Sequence, residues 1–415
     1  MSYHAKLSPS GAHRWMRCAG SVVLEADKPD NGNAYSKEGT AAHALAAMAL
    51  TEGRPASAYV GRRVEVGPHE TFEVTADMAD GVQVYVDNIR AYAGWGESGD
   101  AEKFSYEHQF LVEQQVPIGH ITGEEGATGT ADAIIIADGG DELQVHDLKF
   151  GRGVEVRAEE NEQLMLYALG ALELVAPLGV EPKRVRMVIH QPRVTQAPSE
   201  GDCTVEALQE FGLRVEKAAR ACSQEQADLN PGEKQCRFCK AKATCPALAK
   251  FVTDSVGADF KDLDAKASTD QVEAALVPDG DVELGKKMAA IDLIEDWCKA
   301  VRAEVERRLL AGTPVPGYKL VQGRAGARAW SDTTEAEEYL RKTVRLKVEQ
   351  AYDMKLISPT TAEKLVKAGE IKPKQWQKLE TLITRSEPKP SVAPATDKRP
   401  AIEVKPVIDS FEVVA

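Results

Sequence analysis

Two carboxylates and an amine stand out in the stretch Gly129–Gly153, GTADAIIIADGGDELQVHDLKFGRG: Asp132, Asp147 and Lys149. The isoleucine run and the alternating Leu143 and Val145 have β character, and Asp138-Gly139-Gly140-Asp141 between them is a hairpin signal. With a loop of those four residues, Ala137 pairs with Glu142, and stepping outward places Asp132 opposite Asp147. Facing residues of a hairpin hold their Cβ atoms about 4.5–5.5 Å apart. Carboxylates that close repel each other unless a cation lies between them. Lys149 follows Asp147 by two residues, so the strand period sets it on the same face. Two acids and an amine on one face suit a hard divalent metal. The plainer alternative is a surface hairpin whose acids are merely solvated. Against it, Ile134, Ile136, Leu143 and Val145 share the acids' face. That face is core, where an unpartnered acid is costly.

Three further sets of residues could join such chemistry. His43 lies in the middle of Glu38–Leu50, EGTAAHALAAMAL, an alanine-rich helix former. A histidine there is either a hydrogen-bonded core residue or a ligand. Gln163 and Tyr167 are four apart on an expected helix, Ala158–Val175, and share a face. Without context they describe a polar residue beside a core tyrosine. Cys236, Cys239 and Cys245, in CRFCKAKATC, are a close thiol cluster of the kind that binds zinc or iron. Three thiolates need a fourth ligand, and Cys18, Cys203 and Cys222 are available.

The elements that position these residues follow from periodicity and breakers. Ser8-Pro9-Ser10 suggests the start of a short helix carrying Trp15 and leading to Cys18. Arg54–His69 has irregular or strand character, and Asp77–Ala93 is a helix with Met78, Val82, Tyr85 (or Val86) and Ile89 at helical spacing. Lys103–Val112 is expected to be a strand leading to the hairpin, and Arg184–His190 a strand after the Gln163 helix. Strand, helix, strand in that order makes a βαβ crossover and a mixed sheet. Glu206–Asp228 is a further helix, broken at Asn230-Pro231-Gly232. These elements give a first domain of residues 1–252 closed by the cysteines, a polar linker at 253–282, and a helical C-terminal domain at 283–385. In the last, Glu283–Leu310 is a long helix whose apolar stripe is core or a partner seam. Thr313–Trp330 suggests a hairpin carrying Arg324 and Arg328, with two or three short helices between about Thr334 and Leu382. Residues 386–415 are Pro-rich and expected to be disordered, ending in IDSFEVVA, a solvated tail or a docking peptide.

Bulk properties narrow the function classes. The chain has 415 residues and a net charge of −14, which argues against coating DNA by bulk attraction but leaves room for a local basic groove. No run is apolar enough to cross a bilayer, and MSYHAKLSPSGAHRW lacks the apolar core of a secretory signal. Seven unevenly spread cysteines do not suit a disulfide framework and predict a cytoplasmic location. No GxxxxGK[ST] loop is present, so any DNA unwinding would come from a partner.

Taken in order, these pieces resemble the RecB-like branch of the PD-(D/E)XK nuclease superfamily. That family carries GxxxH on a helix, GxxD on a strand, (D/E)xK on the next strand and QxxxY on a following helix. Here they are Gly39-Thr40-Ala41-Ala42-His43, Gly129-Thr130-Ala131-Asp132, Asp147-Leu148-Lys149 and Gln163-Leu164-Met165-Leu166-Tyr167. The cysteines resemble the iron–sulfur subset, including AddB-type and CRISPR-associated exonuclease-like members, with one cysteine before the nuclease motifs and three after. Cys18, Cys236, Cys239 and Cys245 match that layout. The resemblance spans roughly Leu7–Ala249, and Phe150 departs from the small or hydroxyl residue many relatives have there. The whole layout, including the GYKL…GR…R…W stretch, resembles a phage-encoded group known as a domain of unknown function.

The resemblance implies an α/β fold, a restriction-endonuclease-like mixed sheet flanked by helices, with a mostly helical C-terminal region. It implies Mg²⁺ or Mn²⁺ held by His43, Asp132, Asp147 and the backbone carbonyl of Leu148. Lys149 would orient the attacking water or stabilise the pentacovalent state, with Gln163 and Tyr167 placing Lys149 or the DNA backbone. The four cysteines would hold a [4Fe–4S] cluster, with zinc the competing occupant. The implied activity is a metal-dependent DNA exonuclease of phage or prophage origin, in the cytoplasm of a bacterial host cell. It would process DNA ends for recombination or replication, with a phage single-strand annealing or single-strand-binding protein as candidate partner and no membrane. The alternatives are a non-catalytic DNA- or recombinase-binding module, or CRISPR-like end trimming in an integration complex.

Overall fold

The computed structural model describes residues 5–28, 34–68, 70–94, 109–195, 197–257, 281–321, 333–345, 347–352 and 357–383. The chain forms two units, Met1–Val321 and Gln322–Ala415.

In the first unit, a short 3₁₀ turn (Pro9–Gly11) and the helices Ala12–Trp15 and Ser21–Glu25 lead to α1 (Ala34–Thr51). A small hairpin follows, β1 (Arg63–Gly67) and β2 (Glu70–Glu73), then α2 (Ala76–Tyr92). Thr75 caps α2 by accepting the Met78 N–H at 3.2 Å. Met78, Val82, Tyr85, Val86 and Ile89 are buried at helical spacing.

The main sheet has five strands in sequential order: β3 (Gln109–Pro117), β4 (Thr128–Ala137), β5 (Glu142–Leu148), β6 (Arg184–His190) and β7 (Ser199–Thr204). All neighbours are antiparallel except β5 and β6, which are parallel and joined by the crossover helix α3 (Glu162–Val175). β5 is buried at every position, as a central strand covered on both faces should be. On one face Ile134, Ile136, Leu143 and Val145 pack with residues of α3 and of α4 (Val205–Cys222). On the other, Ala133 and Leu148 pack with α1 and α2. The architecture is therefore a mixed α/β sheet between helical layers.

Boundaries moved where side chains or backbone found other partners. α3 begins at Glu162 rather than Ala158, because the Asn161 side chain accepts the Leu164 N–H at 3.2 Å and caps it. α4 ends at Cys222 rather than Asp228, whose carbonyl instead accepts the Gly20 N–H at 2.9 Å. β3 continues five residues past Val112, to Pro117, while residues 103–108 lie outside the described residues. β7, Ser-Glu-Gly-Asp-Cys-Thr, has no apolar alternation to announce it and pairs along the edge of β6.

α5 (Pro246–Gly257) and α6 (Asp281–Leu310) close the unit. Leu293, Ile294 and Trp297 of α6 pack with Cys236, Cys245, Leu248 and Val252. The long helix thus belongs with the cysteine segment, and the division falls at Val321/Gln322 instead of ahead of residue 283. Leu284, Met288 and Ile291 of the expected stripe are exposed. The expected hairpin is corrected over Thr313–Val321, which contains no strand. Pro314 and Pro316 offer no ladder donors, and Gly317 (φ +82°) turns the chain, with the Tyr318 N–H on the Val315 carbonyl. Arg324 and Arg328 lie outside the described residues, as do most of the polar linker and the tail from 386.

The second unit contains short helices at Thr333–Glu338, Tyr339–Thr343 and Val348–Ala351, then α7 (Pro359–Lys367) and α8 (Pro373–Glu380). Among the described residues, no helix is long and apolar enough to cross a membrane.

Candidate metal site and cysteine cavity

The β4–β5 ladder runs from Ala137↔Glu142 to Ala133↔His146, the register expected from the turn. One step further the backbone pairing stops. Asp132 does not stand as an ordinary cross-strand partner of Asp147; its Oδ2 accepts the Leu148 N–H at 2.7 Å. The carboxylate therefore takes the place of a backbone acceptor where the two strands part. Its Oδ1 meets Nδ1 of His43, from α1, at 3.0 Å.

Glu113 completes this side of the site. Val112 pairs with Ala133 and Gln114 with Ala131, so Glu113 stands across from Asp132. Its backbone adopts a left-handed φ of 48°, uncommon for a non-glycine residue and a local break in the strand. One ligand atom each from His43, Glu113 and Asp132 lie within 4.8 Å of one another. The sequence reading missed Glu113 because its expected strand stopped at Val112. The signal that would find it is β3–β4 register, hidden by an irregular connection with a helical turn at Gly119–Thr122.

The other side is built on Asp147, which is buried. Lys149 Nζ lies 3.0 Å from Asp147 Oδ1 and 2.8 Å from Oδ2. The Gln163 amide donates to Asp147 Oδ1 at 3.0 Å and to the Tyr167 hydroxyl at 3.1 Å. Its Oε1 accepts from Lys149 Nζ at 3.0 Å. One amide thus ties acid, amine and phenol together, and the i, i+4 spacing on α3 makes this possible. Gly129 is needed here: a Cβ would lie 2.8 Å from both the Tyr167 ring and Pro9. A Cβ on Gly39 meets nothing within 4 Å, so packing gives no reason for glycine there. The Lys149 N–H donates to the His190 carbonyl at 2.9 Å, fixing the chain just past β5. Phe150 is buried, with the Arg193 guanidinium 3.9 Å from its ring centre.

The charges are set against one another. Burial opposes the charge of Asp132, but His43, the Leu148 N–H and Lys149 outweigh it and hold this carboxyl below its ordinary range. Burial opposes the charge on His43 too, yet Asp132 raises it to about 9. Burial, with the charge of Asp132 added, raises Asp147 despite Lys149. Glu113 is exposed as a residue, but protein around its carboxyl and the nearby Asp132 push it up to about 7. Three acids are gathered with one imidazole and one amine to offset them. A cation among them would relieve the excess.

The cysteines form a second feature. Cys18, Cys236, Cys239 and Cys245 are all buried and line one cavity with Leu24, Leu229 and Leu248. Backbone N–H groups point at three of the sulfurs: Asn230 at Cys18 (3.3 Å), Gly232 at Cys236 (3.4 Å) and Leu248 at Cys245 (3.5 Å). Cys203 is instead on β7 opposite Val185, and the Cys222 thiol donates to the Trp15 carbonyl at 3.6 Å. Of the three candidates for fourth member, the fold selects Cys18.

The family model described as "Protein of unknown function (DUF2800)" matches residues 4–400. The chain belongs to that family.

Proposed function

We propose that this protein is a divalent-metal-dependent deoxyribonuclease of the RecB-like PD-(D/E)XK type, an exonuclease that processes phage or prophage DNA ends for recombination or replication. The observation that carries this reading is the meeting of His43, Asp132, Asp147, Lys149, Gln163 and Tyr167 around the parting of β4 and β5. Residues from four separate elements, α1, β4, β5 and α3, converge there, and each belongs to one of the four motifs.

The donor set fits Mg²⁺ or Mn²⁺: oxygen-rich, anionic, with one imidazole that suits Mn²⁺. His43, Asp132, Asp147 and the Leu148 carbonyl would hold the ion, with Glu113 added by its position across from Asp132. When bound, the ion supplies charge neutralisation at the phosphate and acidifies a bound water. Lys149 contributes a fixed positive charge toward the phosphate oxygen as negative charge develops. Gln163 holds Lys149 against Asp147, so the amine is oriented before substrate arrives. The four cysteines fit a thiolate-bound [4Fe–4S] cluster or zinc, and N–H···S hydrogen bonds of this kind are a protein's means of tuning such sulfurs. Either occupant would tie the N-terminal segment to the end of the nuclease fold.

The test is degradation of end-labelled single- and double-stranded DNA by anaerobically purified protein, with iron content and visible absorption recorded beside it. The expected result is breakdown in Mg²⁺ or Mn²⁺, none in EDTA, and a ladder whose labelled end gives the polarity. Intact DNA in both metals, with the cysteine cavity shown to be loaded, would contradict the reading.

A further inference from the structure

Tyr85 stands on the buried face of α2, in the stripe of Met78, Val82 and Ile89, where a phenylalanine would pack as well. The residue is 1% exposed, yet its hydroxyl has no hydrogen-bond partner among the described residues. The other two buried tyrosines are satisfied: the Tyr59 hydroxyl donates to Glu52 at 2.9 Å, and that of Tyr167 accepts from the Gln163 amide at 3.1 Å. A hydroxyl taken out of water without a partner costs stability, so packing gives no reason for the one on Tyr85.

The ring lies at the end of β5 and β6, level with the candidate metal site. It belongs to one packed cluster with Ala133 and Leu148, the chain neighbours of Asp132 and Asp147. It meets the His190 ring edge-on at 5.0 Å, and His190 pairs with Leu148 in the parallel ladder. Leu148 is the residue whose N–H Asp132 accepts. Burial, then the charges of Asp132, Asp147 and Glu113, hold the phenol well above its ordinary range, so it keeps its proton. Those acids come from three strands, and the hydroxyl bonds to none of them directly. Water is what joins a buried donor to acceptors beyond its direct reach. Hard divalent cations held by few carboxylates keep several waters of their own.

We propose that Tyr85 is a positioning residue of the metal site: its hydroxyl donates to a hydration water of the bound cation and thereby strengthens cation binding. This assignment rests on the metal-site part of the reading above, and it adds a residue outside the four motifs.

The test compares wild type, Tyr85→Phe and Asp132→Ala as full-length, anaerobically purified protein. Urea unfolding in EDTA and calorimetric titration with Mn²⁺ are read together, with Asp132→Ala marking the binding heat that belongs to this site. In EDTA the Tyr85→Phe midpoint is expected at or above that of wild type, because an unpartnered buried hydroxyl has been removed. Its Mn²⁺ affinity is expected to be about fivefold weaker, the share of one hydrogen bond. A hydroxyl with a purely structural role would give the reverse, a lower midpoint and unchanged affinity. Mn²⁺ affinity within about twofold of wild type overturns the proposal. That result would follow if solvent in the small cleft lined by Tyr85, Asn88 and His190 satisfies the hydroxyl. A lowered midpoint in EDTA overturns it too. Wild type that binds no Mn²⁺ at the Asp132-dependent site overturns the proposal and the metal-site reading together, whereas Mn²⁺ binding without DNA cleavage overturns the nuclease reading alone.

Discussion

Asp132 is held from two directions, by the Leu148 N–H and by His43, while Glu113 stands across from it on the neighbouring strand β3. Two acids side by side are a liability to the metal-free protein and a binding site once a cation is present. If Glu113 is a ligand, Glu113→Gln should weaken Mn²⁺ binding about tenfold, near 1.4 kcal/mol, while leaving the fold intact. Titration calorimetry with Mn²⁺ checks it, and equal affinity in the variant would remove Glu113 from the site. At this scale most of the site was legible, because the pairings are local. Lys149 is two residues from Asp147 on a strand, and Tyr167 is four from Gln163 on a helix. Glu113 was not legible, since its role depends on a strand pairing with no tight turn to fix it. Nor was the end of the β4–β5 pairing beside Asp132, where the ladder expected to continue stops instead.

Among the elements, β5 and β6 carry the acid and anchor the lysine, and buried polar contacts back them on the α2 side. His146 Nδ1 and His190 Nε2 are 3.1 Å apart, His146 Nε2 meets Gln144 at 3.1 Å, and Asn88 reaches His190 at 3.5 Å. Tyr85 and Tyr92 meet the His190 ring edge-on. Burial lowers His190 to about 3, with Asp132 opposing only in part, and burial and His190 drive His146 well below its ordinary value. Both histidines are neutral in the fold and take up a proton on unfolding below about pH 6.5. Their contribution to stability is therefore present above that pH and lost as pH falls toward 3. Glu113 and Asp147, raised in the fold, act in the opposite sense, so the histidine effect is best read as a difference. Between pH 7 and 5.5, wild type should lose about 1 kcal/mol of stability relative to His190→Gln, measured by urea unfolding. Parallel losses would show that His190 titrates normally. These contacts were invisible in the sequence, where His146 and His190 read as strand residues and nothing signals that parallel pairing of β5 with β6 stacks their rings. The crossover itself was legible, because a buried strand, an apolar helix and a second buried strand each carry their own pattern, although the Asn161 cap that starts the helix was not read.

Across the whole molecule, the first unit is closed by residues far apart in sequence: Cys18 joins Cys236, Cys239 and Cys245, and α6 packs against the same segment. The spacing of the thiols showed that a cluster existed, but only the fold chooses Cys18 over Cys222, since both are buried near the N-terminal segment. The place of α6 was not legible either. An apolar stripe says that a helix packs, not on what. What this architecture does is bring one helix from before the sheet, two strands and one crossover helix to a single point. In the proposed reaction the residues there would divide the work, Asp147 holding the cation and Lys149 acting on the phosphate. Lys149 Nζ lies within 3.0 Å of both Asp147 oxygens, so removing it frees that carboxylate for a metal. Mn²⁺ affinity and DNA cleavage should be measured together in wild type, Asp147→Ala and Lys149→Ala. Asp147→Ala is expected to lose both, whereas Lys149→Ala should bind Mn²⁺ at least as tightly as wild type and cleave about 100-fold or more slowly. Cleavage by Asp147→Ala, or wild-type rates in Lys149→Ala, would contradict the account.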